Sequence, residues 1–357
     1  MKRIIILLIA ASTSLIISIA HAQVQYEIID ITVPNSSDAI ASWGTEVRDM
    51  NNRGQVVGQY WPAYEPGNAH GYLYENGAVT DFGRGGITAI NDRGQLLGAS
   101  QIGRFIYDNG EYTILDSLDY NLAPKNLNNN NQIVGFIWGG NLSGNHAMLY
   151  EDGNITDLGT FGGVKSQANA INDNGDIVGY FDMSNGYRQA FMYQNGQLTN
   201  TFEGNALDIN NNGQVVGLCG DITKSYWQAC LSDNGTEYIF SLGGNGEANA
   251  INNLGQVVGR SWTESKQNGF FHAFLYENNV ITDLGTLGGS HSIAYAINDY
   301  GQIAGRAQNS MGEWRAVVWN PVGTSFPPTV VPEPISSILF VVGGATLGVR
   351  RFMRGRR

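Results

Sequence analysis

Along most of the chain the apolar positions come in short bursts. Runs such as Gln256-Val257-Val258-Gly259-Arg260-Ser261-Trp262 and His272-Ala273-Phe274-Leu275-Tyr276 are strand length, rich in β-branched and aromatic residues, and bounded by Asn, Gly and Asp. The stretch from Ala248 to Gly289 predicts four strands in order: Ala248-Asn249-Ala250-Ile251, then the two runs above, then Val280-Ile281-Thr282-Asp283-Leu284-Gly285. Asn252-Asn253-Leu254-Gly255 and Glu277-Asn278-Asn279 supply the hairpin turns, because Asn and Gly accept the positive φ that tight turns need. A polar loop of variable length separates the second strand from the third.

This unit recurs. An apolar residue, Asn, Asn or Asp, any residue, usually Gly, usually Gln, two apolar residues and Gly appear seven times, at Met50 to Gly58, Ile90 to Gly98, Leu127 to Gly135, Ile171 to Gly179, Ile209 to Gly217, Ile251 to Gly259 and Ile297 to Gly305. Asn131, Asp176 and Ala304 are the departures. The closing glycines lie 37 to 46 residues apart, which matches the period of one propeller blade, about 40 to 45 residues. The last copy ends after Arg315-Ala316-Val317-Val318-Trp319 without a fourth strand, while Gln25 to Thr32, ahead of the first copy, reads like one. Pairing the two would complete a blade and remove exposed edges. The predicted fold is therefore an all-β, seven-bladed β-propeller of four-stranded antiparallel blades, with its ring closed by the N-terminal strand and spanning residues 23–320. The alternative, an open β-solenoid, needs no borrowed strand.

Composition agrees with strands. Only 14% of the 357 residues are charged and 47 are Gly, a balance that long helices do not use. Net charge is -11, and seven of the 20 Lys and Arg sit in the two ends, so the body is more acidic still and an unsuitable partner for nucleic acid.

Both ends read as addresses. Met1-Lys2-Arg3, an apolar stretch to Ala20, and Ala20-His21-Ala22 before Gln23 have the layout of a signal peptide, residues 1–22, cleaved by signal peptidase between Ala22 and Gln23. An uncleaved anchor is the alternative. Residues 321–331 form a Pro, Gly, Ser and Thr-rich linker. Residues 332–357 hold Pro332-Glu333-Pro334, an apolar stretch from Ile335 to Val349, and a basic tail beginning Arg350-Arg351. Fifteen helical residues reach about 22 Å, so a transmembrane helix here also needs Phe352, Met353 and snorkelling arginines. This order of parts resembles the PEP-CTERM sorting signal. The resemblance implies recognition of Pro332, Glu333 and Pro334 by an exosortase, a transient membrane anchor with Arg350 and Arg351 in the cytoplasm, and later release to the surface or outside the cell. A plain C-terminal anchor would not require Pro-Glu-Pro.

The repeated units resemble HAF repeats, on His272-Ala273-Phe274, His146-Ala147-Met148, Gln189-Ala190-Phe191 and Gln228-Ala229-Cys230, and on Leu284-Gly285-Thr286-Leu287-Gly288-Gly289. The second and third copies are degenerate. This resemblance implies an exported repeat protein and no particular reaction.

Candidate chemistry is sparse. His70, His146 and His272 share a slot with Gln189 and Gln228, which points to a hydrogen-bonding role rather than acid-base or metal chemistry, and no metal-ligand spacing is present. Asp30, Asp81, Asp116, Asp157 and Asp283 recur at the end of the fourth strand; calcium is conceivable there, but turn-capping suffices. Asp208 to Gly213 starts like a calcium loop and has Cys219 where the closing Glu belongs. Cys219 and Cys230 would form a disulfide in an oxidising compartment if they face each other. Nucleophile elbows, phosphate loops and dinucleotide fingerprints are absent. Trp61, Trp138, Trp227 and Trp262 are candidate ligand contacts. These readings lead to an expected non-enzymatic binding or scaffold propeller, associated with extracellular polysaccharide or an envelope protein. A carbohydrate-active enzyme and a plain spacer are the alternatives.

Overall fold

The computed structural model describes residues 25–33, 44–65, 67–115, 121–220, 227–264 and 269–323. The chain divides into two compact units, Met1–Thr324 and Ser325–Arg357, the second lying outside the described residues. So do Ala20, Ala22, Gln23, Pro332, Glu333, Pro334, Arg350 and Arg351. Among the described residues no helix is long and apolar enough to cross a membrane.

Among the described residues, 26 strands pair antiparallel in five sheets. Three sheets have four strands; two have seven, each running through one long strand, Ala78–Ile90 or Gln197–Ile209. The sequence reading had two strands in each of these places. They merge because the link between repeats is short and bends at glycine: Gly85 and Gly204 have φ of 135° and 134°, and a Cβ on either would run into the carbonyl oxygen of Ala99 or Leu218. The strand thus leaves one group of four and enters the next without breaking. Tyr26–Asp30 pairs with Trp314–Pro321, with Ile28 opposite Trp319 and Asp30 opposite Val317.

The repeat motif builds the same turn each time. Asn51 Oδ1 accepts the N–H groups of Arg53 and Gln55, while its Nδ2 donates to Gln55 Oε1. Gly54 follows at φ 73°, and Asn131, the one non-glycine at this place, adopts φ 64°. Gln55 Nε2 then reaches Glu75 at the end of the third strand, as Gln95 reaches Asp108 and Gln256 reaches Glu277. Where Asp176 replaces Gln, Gln194 stands at the position of Glu75, so amide and carboxylate have changed places along the chain. The two apolar residues that follow point to opposite faces and both are buried: Val56 and Val57, Ile133 and Val134, Val257 and Val258 are all 0% exposed. Each group of strands therefore packs on both faces, against its neighbours on either side. The closing glycine has a packing reason, since a Cβ at Gly58, Gly179, Gly217 or Gly259 would meet a carbonyl oxygen of the adjacent strand.

Candidate functional site

The first strand of every repeat carries a register shift two or three residues before the conserved Asn, as between Val47 and Asp49 or Ala206 and Asp208. A bulge re-aims the side chains beside it. Here it aims backbone and side chains of all seven turns at one polar cavity of about 170 Å³.

Two hydrogen-bond circuits surround this cavity. In one, the side-chain amide of each conserved Asn donates to the backbone oxygen of the next, from Asn51 to Asn91, Asn128, Asn172, Asn210, Asn252 and Asn298, and from Asn298 back to Asn51, at 2.9 to 3.2 Å. In the other, the following residue's N–H donates to the side-chain oxygen of its counterpart, through Asn52, Asp92, Asn129, Asp173, Asn211, Asn253, Asp299 and back to Asn52, at 2.8 to 2.9 Å. No two aspartates are neighbours in this second circuit. The Oδ2 of Asp92, Asp173 and Asp299 each accepts two amide donors, one from the Asn on either side. Spacing the charges this way avoids carboxylate contacts and satisfies every oxygen.

Two further carboxylates lie deeper. Asp49 accepts the N–H of Met50 and of Ile90 in the next repeat, and Asp208 does the same for Ile209 and Ile251. Both open slightly to the cavity but sit within the protein body. Burial pushes Asp49 up to about 7 against those backbone hydrogen bonds, with Asp208 and Asp92 adding repulsion; burial likewise raises Asp208 to about 6. No Lys or Arg lines the cavity, so five Asp carboxylates face it without a lining cation. Among the described residues no group of three or more His, Cys, Asp or Glu has metal-site geometry. The sequence reading missed this site, although its signal, Asn or Asp alternating at the third motif position, was visible.

The other candidates scatter. His70, His146 and His272 each place Nδ1 on the fourth-strand aspartate, Asp81, Asp157 or Asp283, at 2.7 to 3.1 Å. Asp157 and Asp283 also accept the N–H two residues on. Hydrogen bonding to Asp283 raises His272; burial works to raise Asp283, but the bonds from His272 and Gly285 outweigh it and hold that carboxyl low. Where the acid is Asn200 the histidine is Gln189, which donates to Phe202 O instead. Cys219 and Cys230 are joined as a disulfide, Cα atoms 5.9 Å apart. Trp61 is buried, and Trp227 is half-buried just before Gln228–Asp233. Trp138 lies beside Phe136 and the guanidinium of Arg104. Trp262 stands edge-on to Phe271, whose ring stacks with His291 and Trp314. This cluster comes from the loop ends opposite the Asn turns, with the exposed Phe270 edge-on to His291 at 5.7 Å.

No family model matches the chain, and no curated protein matches it. Solved structures do. The β-propeller domain of the trilobed protease from Pyrococcus furiosus, described as having an open velcro topology, aligns with a TM-score of 0.55 at 11% identity, covering 79% of this chain and 98% of that one. A puromycin-hydrolysing peptidase of Mycobacterium tuberculosis aligns at 0.54 and 12% identity, covering 84% of this chain and 54% of that one. Acylaminoacyl peptidase from Pyrococcus horikoshii aligns at 0.52 and 9% identity, covering 82% and 54%. The chain spans about half the length of these two peptidases. Likeness at this identity establishes the fold, a β-propeller, and transfers no activity. It does correct one expectation. The non-enzymatic binding or scaffold role rested on finding no catalytic motif, and the fold is one that peptidases carry, so that role is unsupported.

Proposed function

We propose that the chain is a seven-bladed propeller of four-stranded blades, closed by its N-terminal strand, that holds a cationic group of a peptide substrate in the axial cavity. The finer architecture is supported by the pairing of Tyr26–Asp30 with Trp314–Pro321 and by both hydrogen-bond circuits returning to their starting residues. The function rests on one observation: five carboxylates facing a 170 Å³ cavity with no lining cation. Such a cavity attracts an amine and repels an anion. Peptides enter as the substrate class by fold analogy alone, since peptidases are among the aligned structures.

On sequence grounds we also propose export, with signal peptidase acting at Ala22-Gln23 and an exosortase recognising Pro332-Glu333-Pro334.

The test incubates the purified protein with matched peptides carrying free or acetylated amino termini at pH 5 and pH 8, measuring affinity and newly formed amino termini. Tighter binding of the free amines at pH 8, lost in a D92N/D173N/D299N triple variant, supports the reading. Indifference to acetylation overturns it.

A further inference from the structure

We propose that Arg306 is the anchor of a carboxylate-binding subsite where the sheet of the last repeat meets that of the first. The proposal is independent of the axial cavity and of its ligand.

Arg306 lies in the strand Ile303–Asn309 and is 8% exposed. Its Nε and Nη2, the side-on edge that grips a carboxylate in two parallel hydrogen bonds, are buried and have no partner. Elsewhere in this protein the same edge is used as expected: Arg188 Nε and Nη2 hold Asp182 at 2.7 and 3.1 Å, with the guanidinium over the ring of Tyr180. Arg306 has the ring, Trp314 at 5.1 Å, and lacks the acid.

The repeats explain why. Arg260 occupies the same position one repeat earlier, directly opposite Glu247 on the first strand, and its Nε pairs with Glu247 at 2.5 Å. Gln59 is opposite Glu46 and donates to it. Arg306 is opposite Ile293. The slot that supplies the acid in those two repeats is apolar here. The nearest carboxylate, Glu46, is 3.8 Å from Nη1, beyond hydrogen-bond reach, and its Oε2 already accepts from both Arg48 and Gln59. A second donor waits nearby: the Tyr72 hydroxyl is buried without a partner, close enough to Arg306 and Glu46 for their charges to act on it.

A guanidinium does not deprotonate; Glu46 balances its charge from the Nη1 side at 3.8 Å, but the Nε and Nη2 donors are left without an acceptor. A carboxylate on that edge satisfies both donors in the parallel geometry that Asp182 gives Arg188, so a carboxylate brought by a ligand is the chemistry that completes this site. The indole packed against the guanidinium reports its occupation.

The experiment titrates the protein with sodium acetate, N-acetylglycine, N-acetylglycine amide and inorganic phosphate, by calorimetry and by tryptophan fluorescence against a Trp314→Phe control. Saturable binding of the two carboxylates, absent for the amide and at least tenfold weaker in R306Q, is expected. The deciding variant is I293E, which restores the acid that Glu247 supplies to Arg260. It should raise Tm and abolish carboxylate binding, so it settles the matter even if R306Q does not fold. Equal binding in wild type and I293E, no response to carboxylates, or a preference for phosphate overturns the proposal.

Discussion

The side-chain amide of Asn298 donates to the backbone oxygen of Asn51, 247 residues earlier, at 3.2 Å. The same amide also reaches Gln302 Oε1, and its Oδ1 accepts the N–H groups of Tyr300 and Gln302. One buried side chain thus shapes its own turn and ties the last repeat to the first.

Asn298→Ala removes all four bonds and leaves the buried Asn51 carbonyl with only the Gly54 N–H of its own turn. A loss of about 2–4 kcal/mol in urea unfolding is expected. Asn298→Asp keeps the two acceptor bonds and loses the donors, so it should fall between that variant and wild type.

Asp49 and Asp208 make stability depend on pH. Their folded pKa values, about 7 and about 6, lie above the unfolded value near 3.9, so the folded state holds more protons. Their relative stabilisation is full below pH 4 and is lost as pH rises through 6 to 7. Asp49→Asn and Asp208→Asn should therefore raise Tm at pH 8 and do little at pH 4. Asn126, which accepts the Ile171 N–H from the equivalent place, indicates that Asn fits the slot. A Tm gain at pH 4 as large as that at pH 8 would count against this account.

Asn129 donates to both Asp92 and Asp173. Asn129→Asp places three carboxylates side by side and removes both donors. Thermal unfolding should occur several degrees lower at pH 7, with much of the loss recovered near pH 4, where the acids protonate. Asn211→Asp, with a single Asp neighbour in the circuit, should cost less.

The disulfide joins Cys219 to Cys230, 11 positions further along the chain. C219A/C230A should unfold at about 2 kcal/mol lower stability, and reducing agent should lower the wild type toward the variant without changing the variant itself.

Much of the fold was legible because each repeat carries its own instructions. Asn51, Gly54 and Gln55 build a turn from contacts almost entirely within the repeat, and the paired apolar residues Val56 and Val57 announce a strand buried on both faces. Gln25 to Thr32 could be matched to the last repeat because strand patterns are local. The merging of strands at Gly85 and Gly204 was not legible, since it depends on how tightly two successive sheets turn.

The sites lay further out of reach. Asp92 and Asp173 look like ordinary turn residues one repeat at a time, and only the assembled circuit makes them a spaced set of charges around a cavity. Sequence by itself determined the repeating unit, the turn at its centre and the chemical character of the two ends, because these follow from residues near one another in the chain. Tertiary structure alone decided which carboxylates share a cavity, which acids are pushed toward neutral pH, and that Arg306 faces Ile293 rather than an acid, because burial and charge are set by residues that sequence distance does not bring together.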